Sequence, residues 1–290
     1  MMKHFPPSEL VINQDGSIFH LHLKPEQLAD KIILVGDPGR VALVASHFDS
    51  QEFSVSNREF NTITGSYKGK RITVISTGIG TDNIDIVVNE LDALANIDLK
   101  TRTEKPEFRQ LTLVRIGTSG GMQPDIPLGS FLLSEKSIGF DGVLNFYANR
   151  DSVCDLEFEE SMKKHLDWNP QFCAPYVVDS DKELVEKIGQ DDMIRGVTIS
   201  ANGFYGPQGR ELRLPLADPK LNEKIEAFRF GDYKITNYEM ESSAIAGLAK
   251  LMGHKALTVC CIIANRRVEA ANTDYQPFIK KLIETVLDRI

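Results

Sequence analysis

The chain has 290 residues, 42% hydrophobic and 26% charged, which is the balance of a folded globular protein and excludes disorder, collagen and coiled coil as the main architecture. Its formal charge is −8 with no basic block, which counts against nucleic-acid binding; an anionic ligand would have to be met by a local cluster of positive side chains. No apolar run approaches the ~20 residues of a membrane span, and the opening MMKHFPPSEL lacks the apolar stretch of a secretory leader. The four cysteines form no CxxC pair. Cys260 and Cys261, side by side in ALTVCCIIA, read as buried free thiols, so a reduced, cytoplasmic protein is expected.

Residues 1–18 are polar and contain proline, and read as an N-terminal arm ahead of a single domain at 19–290. Lys24–Asp30 reads as a short helix with Pro25 in its first turn. The apolar stretch Lys31–Gly36 predicts a buried strand, then a turn at Asp37-Pro38-Gly39-Arg40 and a short helix over Val41–Phe48. Phe53–Thr77 alternates and breaks at Lys68-Gly69, which predicts strands and a hairpin. Asp82–Ile97 has helical spacing, with Asp82 as its N-cap. Thr101–Gln110 reads as a charged loop, and Leu111–Gly117 and Ser130–Phe140 as strands. Residues 150–175 show no clean period. Asp181–Gly189 predicts a helix, Met193–Ala201 a strand and Tyr238–Gly253 a helix ended by glycine. Ala256–Asn265 then predicts a strand and Gln276–Ile290 a closing helix. Strands and helices alternate throughout, so the class is α/β with a mixed, mostly buried sheet.

Three glycine-rich turns follow predicted strands, where free N–H groups make natural anion sites: Gly36 to Arg40, Thr77 to Gly80, and Gly117 to Gly121. The dinucleotide fingerprint fails because Asn83 stands at its third glycine. The P-loop fails because Gly65 to Gly69-Lys70 is one residue short and Arg71 replaces Ser or Thr. Gly117-Thr118-Ser119-Gly120-Gly121 matches G-x-S-x-G, but Pro124 and Pro127 break the helix that a nucleophile elbow needs. Arg40 and Arg115 beside two of these turns point to a phosphate site at strand ends, since a guanidinium matches phosphate bidentately. Glu239 and Glu241 are read as opening a helix, facing different ways and complementing its dipole. No metal-ligand spacing is legible.

Taken in order, VGDPGRV, SNREF, STGIG, RIGTSGGMQPDIPLGS, FYGPQGR, NYEMESSA and IIANR resemble nucleoside phosphorylase family I over residues 19–266. FYGPQGR (Phe204–Arg210) is similar to the base-reading stretch of its uridine phosphorylase branch. The resemblance implies a three-layer α/β/α domain with a mixed, partly barrel-like sheet. It also implies phosphorolysis of uridine to uracil and ribose 1-phosphate in pyrimidine salvage, with phosphate as co-substrate and no cofactor. A hydrolase of the same fold and a non-catalytic nucleoside binder are the alternatives.

By this resemblance Gly36, Arg40, Arg58, Arg115 and Thr118 would hold phosphate, with Arg58 supplied by a neighbouring subunit. His20 from that subunit, with Glu239, Met240 and Glu241, would hold the ribose. Phe204, Gln208, Arg210 and Arg266 would read the base, and Arg115, Glu241 and Arg210 would carry catalysis. Asn265 stands where purine-cleaving relatives carry an aspartate, which argues for a pyrimidine. Relatives can hold a monovalent cation near the glutamate matching Glu59; the altered Thr81-Asp82-Asn83 stretch counts against one here. The implied assembly is a homodimer as the smallest active unit, with a hexamer as the larger alternative.

Overall fold

The computed structural model describes residues 3–265 and 270–290. In chain order the first elements are β1 (Lys31–Val35), α1 (Pro38–Ala45), β2 (Ser50–Asn57), β3 (Phe60–Tyr67), β4 (Lys70–Ser76) and α2 (Thr81–Asn96). Then come β5 (Ile97–Asp98), β6 (Thr103–Glu104), β7 (Thr112–Gly121), β8 (Phe131–Gly139), α3 (Leu156–Leu166), β9 (Tyr176–Asp179), α4 (Lys182–Ile188) and β10 (Met193–Ser200). The chain finishes with α5 (Leu221–Ala227), β11 (Arg229–Phe230), β12 (Tyr233–Glu239), α6 (Ser242–Leu251), β13 (Lys255–Asn265), β14 (Ala270–Ala271) and α7 (Gln276–Arg289).

The main sheet runs β11-β12-β10-β8-β13-β7-β1-β4-β3-β2. β1 lies parallel between β4 and β7, and β7 is parallel to β13. β12 also reaches back to β7, pairing antiparallel at Asn237↔Gly121 and Tyr238↔Gly120. That contact closes β7, β13, β8, β10 and β12 into a ring, so the sheet is partly a barrel, as the resemblance implied.

Side chains of β1 alternate between two cores. Ile32 and Leu34 pack with α2 and α6, while Ile33 and Val35 pack with α1, α4 and α7. Helices therefore cover both faces, giving three layers. Residues 3–18 lie against the first layer, with Leu10 and Ile18 buried in it and the amide of Phe5 donating to the Arg102 carbonyl. All four cysteines are free thiols, and burial pushes Cys260 up to about 12 and Cys261 up to about 11. No helix among the described residues is long and apolar enough to cross a membrane.

Several boundaries differ from the sequence expectation for local reasons. Lys24–Asp30 holds only a single 3-10 turn, Pro25–Gln27, because Leu28 turns extended to lead into β1. The Asp37–Arg40 turn is the first turn of α1: the Asp37 carboxylate accepts from the Gly39 amide at 2.9 Å and Pro38 starts the helix. α2 begins at Thr81 after Gly80, whose φ of 99° suits glycine, so Asp82 lies inside the first turn and is not the cap. β7 continues through the third glycine turn to Gly121. The expected helix from Tyr238 is a strand as far as Glu239 and a helix only from Ser242.

Behind α6, fully buried Tyr176 donates its hydroxyl to Asp141 at 2.9 Å, and Ser243 donates to the same carboxylate at 2.9 Å. Burial pushes Asp141 above its ordinary value. Tyr176→Phe removes one donor from this buried acceptor and is expected to cost about 1–3 kcal/mol of unfolding free energy. Urea denaturation reads this directly, and an unchanged midpoint would show that the network carries no stability.

Candidate active site

The C-terminal ends of β1, β4, β7, β12 and β13 converge on a cavity of about 720 Å³, the place where α/β sheets bind ligands. Its wall includes Gly36, Asp37 and Arg40 after β1, Gly78 and Ile79 after β4, and Arg115, Thr118 and Ser119 on β7. Glu239, Met240 and Glu241 join from the β12–α6 junction, and Phe204, Gln208 and Arg210 from the segment after β10. Five stretches far apart in sequence are thus brought to one space.

Arg115 lies inside the fold, 5% exposed. Its register partners are Leu34 on β1 and Thr258 on β13, so it sits in mid-sheet and not at a strand end. A Cβ at Gly117 would overlap its guanidinium, which explains the glycine two residues on. Nη1 lies 3.2 Å from Glu239 Oε2, and Nη2 donates to Glu241 Oε2. The two carboxylates, read from sequence as facing different ways, converge on one guanidinium because Glu239 ends a strand while Glu241 precedes the helix.

Glu239 is saturated with donors. It accepts from the Ser200 hydroxyl at 2.6 Å, the Ser242 hydroxyl at 2.8 Å and the amides of Glu241 and Ser242 at 2.9 and 3.0 Å. It therefore caps α6 from the preceding strand and satisfies that helix's first N–H groups. Glu241 accepts from the Gly80 amide at 2.7 Å, so the second glycine turn grips a carboxylate of the protein itself. Burial pushes the Glu241 carboxyl up and Glu239 adds to the rise, while Arg115 opposes it. Burial alone would lower Arg115, and the two carboxylates reverse this and hold it above its ordinary value.

Arg40 makes no ion pair among the described residues; its Nη1 points to the Ile116 carbonyl at 3.4 Å. Burial and then the facing Arg115 lower its pKa. A cation held next to another cation, beside the N-terminus of α1, makes a place for an anion.

On the opposite wall Arg210 Nη1 donates to the Phe204 carbonyl at 2.5 Å and to Gln208 Oε1 at 2.6 Å. Its guanidinium carbon stands 3.8 Å from the centroid of the half-exposed Phe204 ring. Gly209, at φ 67°, is required here, since a side chain would overlap the Asn222 amide that donates to the Gln208 carbonyl.

His20 and Arg58 do not line this cavity in the single chain. His20 pairs with Glu90 of α2 at 2.6 Å, and its carbonyl accepts from Asn57 at 2.7 Å. Exposed Arg58 stands 5.8 Å from the ring centroid of Phe19, so the two residues share one exposed patch. The neighbouring Glu59 does reach the wall, together with Asn83. Arg266 lies outside the described residues. Asn265 is buried and donates to the carbonyls of Gln123 and Ile126, both at 2.9 Å. Ser119 is buried on a strand and accepts from Asn237 at 3.1 Å, which is no nucleophile elbow. Among the described residues no group of three or more His, Cys, Asp or Glu side chains is placed to hold a metal. Sequence reasoning gave no role to Ile79, Tyr238 and Ile263, which form an apolar part of the wall, although they lie within the quoted blocks.

Residues 30–288 match the model of the phosphorylase superfamily. The uridine phosphorylase of Haemophilus influenzae is 30% identical over 255 residues, covering 87% of each chain. That of Thermococcus kodakarensis is 29% identical over 274 residues, covering 92% of this chain and 84% of the relative. The structure of a Trypanosoma brucei nucleoside phosphorylase, described as showing uridine phosphorylase activity, superposes with a TM-score of 0.88 at 28% identity. It covers 97% of this chain and 98% of its own. The chain belongs to the phosphorylase superfamily and, within it, to the uridine phosphorylase family.

Proposed function

We propose that this protein catalyses the reversible phosphorolysis of uridine to uracil and ribose 1-phosphate, as a step of pyrimidine nucleoside salvage. The observation that carries the reading is one cavity lined by Arg40, Arg115, Glu241, Gln208 and Arg210, residue types that suit an anion, a sugar and a pyrimidine base. The uridine phosphorylase names of the relatives point the same way.

In this reading the phosphate dianion lies between Arg40 and Arg115, with Gly36 and Thr118 adding donors. A phosphate oxygen forms a bond to C1′ as the C1′–N1 bond breaks, and that electron pair leaves with the base. The sugar passes through an oxocarbenium-like state, which the adjacent phosphate charge stabilises. Glu241 takes the ribose hydroxyls, with Met240 packing under the sugar. Glu239 has its oxygens occupied by α6 and Arg115, so its part is to orient them. Negative charge developing on uracil meets the donors of Gln208 and Arg210 while Phe204 stacks on the ring, and such preorganised donors lower the barrier. An amide side chain offers donor and acceptor together, the pattern of a uracil edge. In this reading phosphate is the co-substrate and the reaction uses no cofactor.

The working unit in this reading is a homodimer. Phe19, half-buried His20 and exposed Arg58 lie together outside the chain's own cavity, a position suited to completing the neighbour's site with a histidine for the 5′-hydroxyl and a third arginine for phosphate.

Uracil release from uridine, followed spectroscopically, is expected to depend on added phosphate and to fall to background without it. Equal rates with and without phosphate would replace the phosphorylase by a hydrolase. A second test mixes inactive Arg58→Ala and Glu241→Ala subunits and lets them exchange. A mixed dimer has one site with both lesions and one with neither, so part of the activity returns. Activity that stays at the single-variant level, with exchange verified by native mass spectrometry, would show that Arg58 serves its own chain.

A further inference from the structure

One of the donors to Glu239 comes from a residue that does not touch the cavity. Ser200 closes β10, is fully buried, and is not among the described residues of the cavity wall. It stands in register with Glu239 on β12. Its oxygen accepts from the Ser243 amide at 2.9 Å, so the hydroxyl has its acceptor side taken from below. A serine hydroxyl has one proton to give. The shortest contact it makes is to Glu239 Oε1, at 2.6 Å, which is the length of a charge-assisted bond. The Ser242 hydroxyl, 3.0 Å away, donates to the same oxygen at 2.8 Å.

Glu239 Oε1 is thereby pinned by two hydroxyls and an amide, which turns Oε2 toward the Glu241 amide at 2.9 Å and Arg115 Nη1 at 3.2 Å. One carboxylate orientation thus decides both where the Arg115 guanidinium lies and where the Glu241 backbone begins α6. Ser243 is itself tied to Asp141, and Asp141 to Tyr176, so the support beneath Ser200 is rigid.

We infer that Ser200 is a positioning residue for the phosphorolysis proposed above: through Glu239 it fixes the phosphate-facing Arg115 and the ribose-facing Glu241. The inference rests on that reading. A positioning role differs from a merely structural one in its signature. It moves the kinetic constants for phosphate, and it does so only while the Glu239 carboxylate is there to be held.

The test is a double-mutant cycle of Ser200→Ala and Glu239→Gln, measured as kcat/KM for phosphate with saturating uridine, with thermal melts alongside. Ser200→Ala in the wild-type background is expected to lower kcat/KM roughly tenfold, the order of loss when a hydrogen bond to a charged group is removed. In the Glu239→Gln background the same change is expected to have less than about twofold effect, the two losses being one loss. Wild-type constants for Ser200→Ala would overturn the inference, as would losses that simply multiply. If Ser200→Ala does not fold, Ser200→Cys keeps the volume, replaces a strong donor by a weak one, and carries the same expectation. Should wild-type protein release no uracil in the presence of phosphate, the phosphorolysis reading fails. The rise in melting temperature with inorganic phosphate then tests Ser200 by itself: a smaller rise in Ser200→Ala supports the inference and an equal rise overturns it.

Discussion

A guanidinium buried between two carboxylates is the constraint around which this fold is arranged. Arg115 is held by Glu239 and Glu241 in the interior of a sheet, where removing one partner of such a group strands a charge at a cost of about 3–5 kcal/mol. The arrangement demands that β12 reach β7, which it does by closing the five-strand ring at Tyr238↔Gly120. It demands space beside the guanidinium, which Gly117 leaves. It demands donors for the remaining carboxylate oxygens, which come from Gly80 ahead of α2 and from the first amides of α6. The barrel closure, the glycine turns and the helix starts answer one electrostatic requirement.

The same requirement shapes the cavity. Arg115 is balanced within the protein, whereas Arg40 across from it makes no ion pair among the described residues and has its pKa lowered by burial and by Arg115. The positive character that an anion would feel therefore comes chiefly from Arg40 and the α1 N-terminus, with Arg115 placed by its carboxylates to contribute a directed donor. Gln208 and Arg210 are ordered on the far wall by their own hydrogen bond at 2.6 Å. Catalysis that works by prearranged dipoles needs such order before the substrate arrives.

Much of this was legible in the chain. The apolar runs Lys31–Val35 and Ala256–Asn265 read as buried strands because both faces of a central strand are covered and the period vanishes. The family-like blocks carried most of the residues that line the cavity, some in loops after strands, as with Gly36–Arg40, and some within strands, as with Arg115 on β7. What was not legible has physical causes. β12 was missed because Thr236 and Asn237 are polar yet buried, satisfied by the Val197 carbonyl at 2.8 Å and by Thr198 and Ser119 at 2.8 and 3.1 Å. α3 was missed because its buried face carries the charged Glu159 beside Phe158, Met162 and Leu166, and charged residues surround it. The convergence of Glu239 and Glu241 could not be read from their spacing, because a strand-to-helix junction lies between them. The Ser200 contact joins residues 39 positions apart and leaves no local pattern at all.

Under the proposed function, a bound phosphate would share Arg115 with Glu241, and the carboxylate's charge would oppose the anion until a sugar engages it. Calorimetric titration of inorganic phosphate into wild-type and Glu241→Gln protein, without nucleoside, tests this most directly. The account predicts that the variant binds phosphate several-fold more tightly although it turns over uridine poorly. Phosphate binding that is unchanged or weaker in Glu241→Gln would contradict it.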